Sequence, residues 1–160
     1  MFPALWLLPM SIVREIGPWH EELTLNNDAE YFTRALLASE RVLFCRGARC
    51  HYRSGIAGNL SGSKSLQALE SQFKVLELCE RYIRTVEDSE RVRRDFAQSW
   101  QRLAHFAYPY YSSLAERAQS RARQLHSIRI RPGGGLRFRI LSRLIGWRLA
   151  RALQVVSGRP

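Results

Sequence analysis

Hydrophobic and polar positions divide the chain into a first third of short, unlike patterns and a remainder of long helical periodicity. Met1-Phe2-Pro3-Ala4-Leu5-Trp6-Leu7-Leu8-Pro9-Met10 is a short apolar run bounded by proline, a pattern that suits a buried strand. Residues 11–16 follow as a short helix, stopped by Gly17 and Pro18. A second helix opens at Asn27, the expected N-cap, and Glu30 three positions later gives a capping-box-like pattern. Phe32, Ala35 and Leu36 then share one face. Arg41–Cys45 and Ala48–Arg53 read as two extended segments, with Arg46-Gly47 as the turn between them. The Gly- and Ser-rich residues 54–63 form a loop.

From Lys64 the period lengthens. Leu66, Leu69, Phe73, Leu76, Cys79, Ile83 and Val86 recur every three or four residues, which describes a long amphipathic helix. A break at Glu87-Asp88-Ser89-Glu90 leads to another, with Val92, Phe96, Trp100 and Leu103 on one face. Pro109 ends it, and a third helix runs from about Ser112 to Leu125. Residues 129–135, with Pro132-Gly133-Gly134-Gly135, are a linker. Residues 136–156 read as one further helix, whose stripe is Phe138, Leu141, Ile145, Leu149, Ala152 and Val156.

Length and composition set the scale. A chain of 160 residues that is 46% hydrophobic, with four Trp and seven Phe, can fill a core. Charge changes the picture more. The net +11 is uneven: residues 1–63 hold six Arg against six acids, whereas residues 129–160 hold eight Arg and no acid. Such a balance implies a local partner rather than a whole-surface one. Phe138, Leu141, Ile145, Trp147 and Leu149 would face lipid if the last helix lay in an anionic membrane surface. Docked on its own domain, the same helix would show a solvated basic face. Nucleic acid is not expected, because no recognised binding fold accompanies the charge.

Cys45, Cys50 and Cys79 show neither zinc spacing nor a Cys-x-x-Cys pair, which suits reduced thiols in the cytoplasm. No apolar run reaches the length of a membrane span. The apolar N-terminus lacks a basic leading region and a cleavage site, so it is not read as a signal peptide. The expected placement is cytoplasmic, with peripheral attachment at the inner face of the cell membrane.

Candidate chemistry concentrates between Gly17 and Arg34. Asp28 falls in the first turn of a helix, where free N–H groups and the helix dipole favour a carboxylate. Helix-start chemistry alone accounts for such a residue. Gly17-Pro18-Trp19-His20-Glu21 followed by Asn27-Asp28-Ala29-Glu30-Tyr31-Phe32-Thr33-Arg34 nevertheless resembles the second half of a family-two glycosyltransferase with the GT-A fold. The resemblance covers about residues 5 to 65. It implies that Asp28 is the general base that deprotonates the acceptor hydroxyl. It gives Glu21 and Glu30 supporting roles and lets Trp19 stack on a sugar ring. It sets His51 at a metal or diphosphate of the donor, with Arg53 beside it for a phosphate.

The same resemblance implies a nucleotide-sugar donor, a glycan or lipid-linked acceptor and a divalent metal, Mg or Mn. The family's Asp-x-Asp motif, which holds that metal, is absent from this sequence. The expected fold is thus an α/β remnant, the C-terminal half of a GT-A fold, followed by a mostly helical region. In domain terms, residues 1–63 are the glycosyltransferase part, 64–128 a helical extension, 129–135 a linker and 136–160 a basic amphipathic helix and tail. On this reading the chain is a truncated product or one piece of a split enzyme. The competing expectation is a noncatalytic helical adaptor that binds a membrane surface or a partner protein through its basic C-terminal helix.

Overall fold

A computed structural model of the protein describes residues 3–51, 65–126 and 135–157. Among the described residues seven α-helices follow one another: α1 Met10–Ile16, α2 Asn27–Ala38, α3 Leu66–Val86, α4 Glu90–Ala107, α5 Ser112–Leu125, α6 Leu136–Leu144 and α7 Trp147–Val156. They fall into two compact units, Met1–Val86 and Glu87–Pro160.

The expected α/β remnant is overturned, because every regular element among the described residues is helical. At the start of the chain, Pro3–Leu5 form a single 3-10 turn instead of a strand. Pro3 and Pro9 have no N–H to give to a ladder. Leu7 is 96% exposed, while Trp6 and Leu8 turn in against α2. Residues 41–51 fail as a hairpin for a different reason. Arg46-Gly47 does make its turn, with the Ala48 N–H donating to Cys45 O at 3.3 Å. Yet every residue from Arg41 to His51 is exposed, and a strand without a partner cannot satisfy its backbone. Tyr52, Arg53 and the 54–63 loop lie outside the described residues, as do residues 127–134 of the linker region.

In the first unit α2 is the centre. Tyr31, Phe32 and Ala35 are its buried face, and Trp6, Leu8, Ile12 and Ile16 pack on them. Trp6 stacks on Phe32 with ring centroids 4.8 Å apart. α3 packs on α2 through the apolar stripe read from sequence; Leu69, Phe73 and Cys79 of that stripe are buried. Ser65 holds the start of α3 by accepting the Ala68 N–H at 3.2 Å.

The second unit is built on α4 and α5. Trp100, Ala104 and Ala107 of α4 and Ala115 and Ala118 of α5 have no accessible surface, so small residues let the two helices approach closely. Ser89 caps α4 by accepting the Val92 N–H. The single helix expected over 136–156 is instead two, broken at Ile145-Gly146. Gly146 has φ +81°, a backbone conformation that glycine adopts without penalty. The break turns Phe138 and Trp147 inward, where both rings contact His105.

Candidate functional site

The entrance of α2 is built from three Asx residues. Asn26 is the cap, in left-handed backbone (φ 58°, ψ 22°) that asparagine tolerates better than most residues. The Asn27 side-chain carbonyl accepts the Asp28 N–H at 2.9 Å. Asp28 in turn accepts the Ala29 N–H at 2.9 Å through Oδ1. These short bonds satisfy N–H groups that a helix start leaves open, and the helix dipole adds to the stability of the half-buried Asp28 carboxylate.

Glu30, expected to close a capping box, does something else. It has no accessible surface and faces Arg34 one turn later. Arg34 Nε donates to Glu30 Oε1 at 2.8 Å and its terminal nitrogen to Oε2 at 3.0 Å, a forked pair. The remaining guanidinium N–H groups donate to the carbonyls of Ile16 and, at 2.9 Å, of Pro18. One side chain therefore ties the end of α1 and the Gly17-Pro18 turn to the centre of α2. His20 Nε2 approaches Glu30 Oε1 at 3.4 Å. On α3, the Tyr82 pKa is raised, first by burial and further by the Glu30 charge.

The loop into α2 is held at its other end by α3. Ser71 Oγ accepts the Leu25 N–H at 3.0 Å and donates to Leu25 O at 3.1 Å. Trp19 lies flat on Tyr31, with centroids 4.2 Å apart and planes within 1°, and meets Phe32 edge-on. One face of Trp19 is thus occupied, and 36% of the residue remains exposed. The buried Cys79 touches Thr33 Oγ1 at 3.5 Å, and burial pushes its thiol pKa up.

Of the residues singled out from sequence, Trp19, Asp28 and Glu30 belong to this one structure around α2, while Glu21 is exposed in the loop. His51 stands in the exposed 41–51 segment, and Arg53 lies outside the described residues. Among the described residues no three His, Cys, Asp or Glu side chains come together as metal ligands. Among the residues expected to face a membrane, Phe138 and Trp147 are buried and Leu141 is half-buried; Ile145 and Leu149 are exposed.

Two contributors differ in how far local sequence signals them. The Glu30–Arg34 pair has an i, i+4 spacing that was available as a signal. Ser71 has none, because it reaches the Leu25 backbone from another helix. Comparison of the chain with models of known protein families, with curated proteins and with solved structures finds no match.

The second unit holds one further titratable group of note. His105 is half-buried, and burial, with the Arg151 charge nearby, lowers its pKa to about 4. Its Nδ1 has no hydrogen-bond partner among the described residues. Neutral imidazole is therefore the form that packs against Phe138 and Trp147.

Proposed function

We propose that this chain supplies the acceptor-side residues of a glycosyltransferase that moves a sugar from a nucleotide-sugar donor to an acceptor hydroxyl with inversion. One observation carries the reading. Arg34 and the buried Glu30 lash the Gly17-Pro18-Trp19 turn to the helix whose entrance presents Asp28. A base needs a fixed address, and ordinary helix capping does not require that second clamp.

In this reaction the acceptor hydroxyl oxygen attacks the anomeric carbon while Asp28 takes its proton. The bond from that carbon to the diphosphate breaks, and the nucleoside diphosphate departs with the electron pair. Trp19 offers its exposed edge to the apolar side of a sugar. Glu30 acts through Arg34 as a positioning residue. Donor binding, and any metal that accompanies it, is assigned outside this site, and no step here is given to a metal.

The test joins the chain to the nucleotide-binding portion of a family-two enzyme and follows sugar transfer. Asp28→Asn keeps the shape and removes the base, so turnover should fall about a hundredfold to ten-thousandfold. Stability should fall by about 1 kcal/mol at most. Near-normal turnover would return Asp28 to helix capping alone.

A further inference from the structure

The C-terminal helices carry two kinds of apolar residue, and only one kind is used within the fold. Phe138, Trp147 and Ala150 are buried. Leu136, Ile140 and Leu144 on α6 are 71%, 52% and 76% exposed, and Leu149, Leu153 and Val156 on α7 are exposed as well. At about 100° per residue, the α6 stripe lies opposite Phe138, and the α7 stripe turns away from Trp147 and Ala150. The α6 stripe is edged by Arg137 on one side and by Arg139 and Arg143 on the other, all exposed. No acidic residue occurs anywhere in residues 129–160.

We infer that the outer faces of α6 and α7 dock on an anionic membrane surface, lying in its plane. Six large apolar side chains beside unbalanced guanidinium groups need a partner that offers both a nonpolar phase and negative charge. A bilayer with anionic headgroups offers both within a few ångströms of depth. A second copy of the chain would set Arg against Arg, which like-charge repulsion disfavours. The helices are nine and ten residues long, about 15 Å each, half of a bilayer core. No helix among the described residues is long and apolar enough to cross a membrane. The inner residues Phe138 and Trp147 stay on His105 and do not enter the lipid.

This docking is independent of the chemistry assigned to Asp28. It is tested by co-sedimenting the full chain with vesicles of phosphatidylcholine, with and without phosphatidylglycerol. Binding should require phosphatidylglycerol and weaken as salt rises. Each exposed Arg is worth about fivefold, so the Arg137→Gln, Arg139→Gln, Arg143→Gln triple variant should bind roughly a hundredfold more weakly. Ile140→Asp with Leu153→Asp should abolish binding while circular dichroism and the melt stay unchanged, since both positions are half exposed or more. Equal binding to both vesicle types, or none to either, overturns the proposal. So does a dimer that Leu144→Asp splits, or capture by a polyglutamate peptide in place of vesicles. Should the aspartate variants unfold, the Arg variant alone decides.

Discussion

Replacing Arg34 with methionine keeps most of the side chain's volume and removes its guanidinium. Glu30 would then sit without accessible surface, with His20 at 3.4 Å the remaining basic neighbour among the described residues. The carbonyls of Ile16 and Pro18 would each lose a donor. An exposed ion pair is worth about 0–1 kcal/mol, whereas breaking a buried one costs about 3–5. With Glu30 fully buried and Arg34 only 15% exposed, the second figure applies. His20 holds the expected loss near its lower end, about 3 kcal/mol. In a unit of this size that lowers the melting midpoint by roughly 10–20 °C.

Glu30→Met combined with Arg34→Met removes both charges, so the pair should lose less than the sum of the single changes, by about 1–3 kcal/mol. Arg34→Lys keeps the charge but cannot fork, and should fall between wild type and methionine. The assay is urea unfolding followed by circular dichroism and tryptophan fluorescence. A loss below about 1 kcal/mol for Arg34→Met, additive with Glu30→Met, would refute the clamp and leave the pair a surface decoration.

Ser71→Ala strips both bonds from Leu25 and should cost about 1–3 kcal/mol, read as a lower urea midpoint with the slope unchanged. Trp100→Ala empties a fully buried site between α4 and α5 and should cost about 3–5 kcal/mol, enough to melt the second unit at lower temperature. His105 binds its proton near pH 6.5 when unfolded and near 4 when folded. Stability should therefore be intact above pH 6.5 and decline as pH falls towards 4, and His105→Phe should flatten that decline in melts taken across the range. A thiol reagent should label the exposed Cys45 and Cys50 at once and Cys79 only after unfolding, a difference that mass spectrometry resolves.

Helical periodicity was legible and strand pattern was not. Long stripes such as Leu69–Phe73–Cys79 name their own face, because a helix satisfies its backbone internally. Val42-Leu43-Phe44 has the composition of a strand, but a strand depends on a neighbour that sequence cannot show, and here these three residues stand 65%, 78% and 88% exposed. The apolar stripe of the basic tail runs unbroken past Gly146, so its sequence describes one helix, and only the positive φ there divides it. At the candidate site, the Asx run and Trp19 were visible as local signals. The clamp was half visible, since Glu30 and Arg34 are one turn apart, but nothing in their spacing tells that Arg34 also holds two carbonyls of a preceding turn. Ser71 lies 46 positions from its partner, and no local pattern points across that distance.

The segment between Pro18 and Leu25 is moored at both banks, to Arg34 at one end and to Ser71 at the other. Leu23 anchors it once more from beneath, being almost wholly buried. Glu21, Glu22 and Thr24 lie between these moorings with their side chains in solvent. Mutation there can reshape what the surface presents without dragging the backbone that leads to Asp28. The chemistry this loop shows to solvent is in this way separable from its course: substitution can change the one, residue by residue, while the other keeps its place.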